Sequence, residues 1–195
     1  MSTEARDKKI KRVVQNRQKD LVVVFEDIHD PHNAEAALRS CDAFGVQEAY
    51  FIFENQAYFD PTEVGKTTSS SANKWLDFRV FTSTRECLDH LKQKGFQIVA
   101  TVLDEQAEDI FNSDLASDQL ALMLGNEHAG LSSEALRGAD KHVYIPMRGM
   151  IQSFNLSVSA GIFLFEITRQ RSRSSSDFSL SSQEQKRLEQ EFKKR

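Results

Sequence analysis

Apolar residues follow two rhythms along this chain. Short runs rich in β-branched and aromatic residues recur at 21–26, 48–53, 78–81, 97–102, 119–124 and 142–145, and each is bounded by Gly, Pro, Asp or Asn. Between them, apolar positions spaced three and four apart predict helices over 34–44 and 84–94, closed by Gly45 and Gly95, and a short helix opening at 131–134 with Ser132 as its cap. The run Leu21-Val-Val-Val-Phe25 reads as a buried strand, and Asp30-Pro31 turns the chain into the helix that His32-Asn33 opens. Past Pro146 the chain crosses a glycine-bearing loop and enters a helix over 154–168, apolar enough to be buried on more than one side. Strands alternating with helices predict an α/β domain: a mainly parallel sheet with helices on both faces and ligands at the carboxyl ends of the strands.

The ends differ from this body. Residues 4–18 predict an amphipathic helix, docked through Ile10, Val13 and Val14, and 183–194 a short basic helix. Residues 55–74 read as an exposed, mobile polar connection, and Arg171-Ser-Arg-Ser-Ser-Ser-Asp177 as a flexible low-complexity linker. The organisation expected is a basic helical extension at 1–19, one domain at 20–170, and a linker with a basic helix at 171–195.

Composition narrows the class. In 195 residues, 39% apolar and 28% charged is ordinary for one globular domain, with no stretch resembling a membrane span or an apolar signal block. The expectation is a cytoplasmic protein with no membrane association. Cys41 and Cys87, without metal-ligand spacing, read as reduced packing residues. The net charge of −4 conceals basic ends: seven Lys/Arg against three Asp/Glu in 1–20 and seven against four in 171–195, leaving −11 on 21–170. Such ends suit a polyanion, and they equally suit solvated helix faces.

Motifs exclude more than they admit. The chain holds no G-x-G-x-x-G, no G-x-x-x-x-G-K-[ST], no G-x-S-x-G and no H-x-x-x-H, so dinucleotide, P-loop, hydrolase-elbow and zinc-helix readings fall away. No metal site is expected, the proline turn between His29 and His32 included. Three strand ends remain, each handing over to polar residues: Asn33 and Arg39; Leu124-Gly-Asn-Glu-His-Ala-Gly130; and Ile145 to Asn155 with Met147, Gly149 and Ser153. Singly, each has a plain structural reading, Asn33 and Ser153 as helix caps, Arg39 as an ion-pair partner, the glycines as turn formers. Jointly they place an arginine, a glutamate, two asparagines and two glycine-bearing loops at one sheet edge.

At Pro31-His-Asn-Ala-Glu-Ala-Ala-Leu-Arg39, Leu122 to Ser132 and Ile145 to Ser159, the sequence closely resembles the SPOUT-class RNA ribose methyltransferases of the TrmH branch, which methylate the 2′-hydroxyl of a tRNA guanosine. The resemblance implies a C-terminal trefoil knot, a homodimer and S-adenosylmethionine held in the knot. By position it implies cofactor contacts from Thr101, Leu124, Gly125, Asn126, Gly130, Ile145, Met147 and Phe154, and a catalytic or structural polar set of Asn33, Arg39, Glu127, Ser153 and Asn155. Glu35 and Phe154 depart from the glycine and leucine usual in the family, which bears on the shape of the adenine pocket.

Methyl transfer from a sulfonium is an in-line displacement, so the protein's task is alignment and help with proton loss. A guanidinium is too weak a base to take the proton, so Arg39 is expected to stabilise the developing alkoxide and orient a phosphate. The substrate expected is tRNA at guanosine 18, met by Lys8, Lys9, Arg12, Lys186 and Arg187 on the basic ends. Methylation of rRNA or of a tRNA wobble nucleotide is the alternative, and a non-catalytic RNA-binding protein on the same fold the second.

Overall fold

The computed structural model describes residues 3–64 and 72–195. Its strands are β1 (Leu21–Glu26), β2 (Glu48–Ile52), β3 (Asp77–Phe81), β4 (Gln97–Val102), β5 (Glu108–Asp109), β6 (Leu120–Leu124) and β7 (Lys141–Tyr144). They form one sheet in the order β3-β2-β1-β6-β4-β7-β5, with every pairing parallel. The helices are α1 (Thr3–Gln15), α2 (Pro31–Ala43), α3 (Thr84–Gln93), α4 (Ser133–Gly138), α5 (Leu156–Arg171) and α6 (Ser182–Lys194), with a short 3-10 turn at Ala72–Trp75.

The sheet is covered on both faces because its central strands are apolar on both. Along β1, Leu21, Val23 and Phe25 join a core with Leu38 of α2 and Phe163, Leu164 and Ile167 of α5. Val22 and Val24 point the other way, into a core with Leu88 and Leu91 of α3 and Ala135 of α4. Each of these buried Val, Leu, Ile and Phe side chains contributes about 1.5–3 kcal/mol. Helix starts follow local chemistry: Asp30 caps α2 with Pro31 in the first turn, and Ser181 and Glu184 close a reciprocal capping box on α6.

The two ends of the chain meet. Ile10 and Val14 of α1 pack with Leu188 and Phe192 of α6, flanked by Trp75 and Leu180. Two buried arginines anchor this pair to the body. Arg17 donates to the carbonyls of Val46 and Trp75 and to Asp42, while Arg171 donates to the carbonyls of Lys19 and Ser117 and lies over the Phe178 ring. Burial pulls both guanidinium pKa values down, that of Arg171 to about 10.

Several boundaries differ from expectation. Helix α5 begins at Leu156, and its cap is Asn155, whose side chain accepts from the Ser157 N–H; Ser153 caps nothing. It ends at Arg171, inside the stretch read as a flexible linker, because that arginine's hydrogen bonds hold the last turn. Strand β5 was invisible in sequence, being two acidic residues long. Strand β7 stops at Tyr144, which frees Ile145. Of the polar connection at 55–74, residues 65–71 lie outside the described residues.

Candidate active site

Three loops leave the carboxyl ends of β4, β6 and β7 and close around a cavity of about 330 Å3. The site lies where the strand order departs from chain order: β6 is inserted between β1 and β4, and β7 lies beyond β4. Thr101, Val102 and Leu103 line the cavity from β4; Leu124 to His128 and Gly130 from β6; Ile145, Met147, Ser153, Phe154 and Asn155 after β7. Asn33 of α2 and Leu156, Ser159 and Phe163 of α5 complete it. All eight expected cofactor contacts thus fall on one cavity, as do Asn33, Glu127, Ser153 and Asn155. Val102, Leu103, His128, Leu156, Ser159 and Phe163 were not foreseen, because only the folded loops bring them to the wall.

The β6 loop is built on close backbone approach. A Cβ on Gly125 would lie 2.3 Å from Gly130 C and Leu131 N, and Gly130 has a positive φ of 70°. Asn126 pairs with Gly130 through both backbone groups, and its side-chain oxygen accepts from the N–H groups of His128 and Ala129. Its Nδ2 donates to the carbonyl of Asp27 at 2.7 Å, so Asn126 ties the loop together while lining the cavity. Asp27, with φ of 52°, accepts from the N–H groups of Glu54, Asn55 and Gln56 and fixes the rim beyond β2. The tolerance of Asp for that conformation is the sequence signal that could have marked it.

Three of the expected polar residues form a relay. Glu127 accepts from the N–H of His29 at 3.0 Å and of Asp30 at 3.3 Å, and from Asn33 Nδ2 at 2.8 Å. Asn33 Oδ1 accepts from Asn155 Nδ2 at 2.9 Å, and Asn155 Oδ1 accepts from the N–H and hydroxyl of Ser157. A carboxylate at one end and helix donors at the other fix the orientation of both amides. Burial alone would raise the pKa of Glu127, but the hydrogen bonds from Asn33, His29 and Asp30 outweigh it and hold the carboxyl below its usual value. The relay therefore joins the β6 loop, the start of α2 and the start of α5 around the cavity.

Two expected residues stand free of this network. Ser153 lines the cavity, exposed, with no hydrogen-bond partner among the described residues. Arg39, in the third turn of α2, is exposed and likewise unpartnered among the described residues, and it does not line the cavity of its own chain. The expectation that it reaches the pocket from the start of α2 is corrected for the single chain. Lys8, Lys9, Arg12, Lys186 and Arg187 are exposed on α1 and α6, Lys8 paired with Glu4 and Arg187 with Glu191. Among the described residues no group of three or more His, Cys, Asp or Glu could hold a metal ion, and no helix is long and apolar enough to cross a membrane.

Comparison with known proteins bears on this geometry. The tRNA (guanosine(18)-2'-O)-methyltransferase of Thermus thermophilus is 44% identical over 169 residues, 87% of this chain and 84% of that one. The crystal structure of the A. aeolicus TrmH/SpoU tRNA modifying enzyme superposes with a TM-score of 0.85 at 34% identity, covering 97% of this chain and 95% of that one. The SpoU methyltransferase AviRb of Streptomyces viridochromogenes, solved in complex with the cofactor AdoMet, superposes with a TM-score of 0.70 at 28% identity, covering 84% and 62%. Residues 20–165 match the SpoU rRNA methylase family, spanning every strand and the whole cavity, and the chain belongs to that family.

Proposed function

We propose that this protein transfers a methyl group from S-adenosylmethionine to a ribose 2′-hydroxyl of tRNA, at guanosine 18, the nucleotide its Thermus and Aquifex relatives are named for. The observation that carries the reading is the cavity at the carboxyl ends of β4, β6 and β7. Its volume lies within the range of small-ligand sites, and its wall pairs apolar side chains with convergent polar groups. Leu124, Ile145, Met147, Phe154 and Phe163 offer apolar surface to an adenine, and the tight Gly125–Gly130 turn leaves backbone groups near the ligand rather than side chains.

S-adenosylmethionine supplies a methyl already activated on a sulfonium, so base strength matters less than alignment. Glu127, Asn33 and Asn155 hold the walls in register, and Ser153 offers a free hydroxyl to the incoming ribose. Arg39 is read as stabilising the developing alkoxide and orienting a neighbouring RNA phosphate, which accepts the 2′-hydroxyl proton as the methyl is transferred and S-adenosylhomocysteine leaves. Because it stands outside its own chain's cavity, this role is assigned in a homodimer. Support for dimerisation comes from Met150, Ile151, Phe154, Val158 and Phe165, large apolar residues 100%, 60%, 37%, 44% and 59% exposed on the β7 loop and α5.

The basic faces of α1 and α6, brought together by their shared apolar contact, are read as the RNA grip, and a cytoplasmic location goes with that substrate. The test is transfer of labelled methyl to bulk tRNA and to rRNA, followed by mapping of the modified nucleotide. Label on the ribose of a D-loop guanosine is expected, in the form of 2′-O-methylguanosine; label confined to rRNA or to a wobble nucleotide would move the reading to the alternative substrates. Absence of labelled S-adenosylmethionine binding would favour a non-catalytic RNA-binding role.

A further inference from the structure

We propose that His29 and His128 form a stacking platform for an unpaired RNA base at the rim of the methyl-transfer cavity, an inference that rests on the RNA-methylation reading above. The two rings lie edge to face, with centroids 6.2 Å apart and planes at 62°. Both residues are exposed, and His128 also lines the cavity, so the pair marks where the wall meets the outer surface. The fold makes little use of the rings themselves. The His128 ring nitrogens have no hydrogen-bond partner among the described residues, and His29 is engaged through Nδ1 alone, 3.1 Å from the Gln56 side-chain oxygen.

The backbone beneath the rings, in contrast, is pinned. His29 N–H donates to Glu127, His128 N–H donates to Asn126, and Asn126 in turn holds the Asp27 carbonyl. Two exposed aromatic rings are thereby presented from a rigid rim, which lowers the ordering cost of stacking a base against them. RNA recognised away from duplex regions is held in this way, by splayed bases stacked on aromatic side chains including histidine. A phosphate fits the rim less well, because it would meet the Glu127 carboxylate, which accepts from the backbone N–H of His29.

The test uses the full chain, labelled S-adenosylmethionine and a tRNA that the wild-type protein methylates. His29→Ala, whose ring lies outside the cavity wall, should raise KM for tRNA about tenfold, with cofactor affinity and melting temperature as in wild type. His128→Ala should raise KM more than it lowers kcat. His29→Phe and His128→Phe should restore KM, whereas His128→Lys should not. Normal wild-type turnover with unchanged KM in both alanine variants, or rescue by lysine and not by phenylalanine, overturns the platform alone. A wild-type chain that binds the cofactor and methylates no RNA overturns the functional reading and the platform with it.

Discussion

Asn155 donates a hydrogen bond to Asn33 across 122 residues of sequence, at 2.9 Å, and Asn33 passes the same directionality on to Glu127. Asn33→Asp would set one carboxylate against another where an amide N–H now donates. It should destabilise the fold by about 1–3 kcal/mol in urea denaturation, and adding Glu127→Gln should recover part of that loss by restoring a donor to the pair. Wild-type stability of Asn33→Asp would show that the relay holds nothing in place.

Arg39 carries the role most exposed to test. Arg39→Lys keeps the charge and loses the planar fork, and is expected to lower kcat by about 10²–10³-fold with unchanged cofactor affinity, read in single-turnover assays. Near wild-type turnover in this variant would remove Arg39 from the reaction.

Acid should act through Glu127. Its pKa is held below the ordinary carboxylate value in the folded state, so its contribution is fully present above that value and is lost as the pH falls through the lower, folded one. Cofactor affinity should therefore stay level from neutral pH through the ordinary carboxylate range and fall only below it, as the pH passes the lowered folded-state value. In Glu127→Gln that acid limb should be missing from a binding titration.

The chain ends should behave as one unit. Phe192→Ala removes a ring packed with Ile10, Val14 and Trp75 and should loosen α1 as well as α6, at about 3–5 kcal/mol to that docking. Removing residues 178–195 should then cost RNA affinity comparable to removing 1–18, and both should flatten the salt dependence of RNA binding more than they change cofactor binding. RNA affinity unchanged in both truncations would place the RNA elsewhere. Arg17 and Arg171, buried in structural hydrogen bonds, are not part of that grip, so the raw charge of the two ends overstates it.

How far the sequence could be read follows from the range of each interaction. Strands β1, β4 and β6 were legible because unbroken apolar runs between turn residues admit few other structures, and α2 because Asp30, Pro31 and Gly45 punctuate it locally. Strand β5 was not, since Glu108 and Asp109 become a strand only by pairing with Val143 and Tyr144. The start of α5, read at 154, falls at Leu156, because of the two competent caps Ser153 and Asn155 it is Asn155, held by its bond to Asn33, that closes the first turn.

The sequence alone determined the alternation of strands and helices, the apolar character of both sheet faces and the three motifs that enclose the cavity, because these depend on side-chain type and short-range spacing. Only the tertiary structure decided that Glu127, Asn33 and Asn155 bond to one another, that Arg39 stands outside its own cavity, and that the two terminal helices share an apolar seam. Those relationships join residues some hundred or more positions apart, or turn on the direction in which one side chain leaves its helix, and no local pattern of residues encodes either.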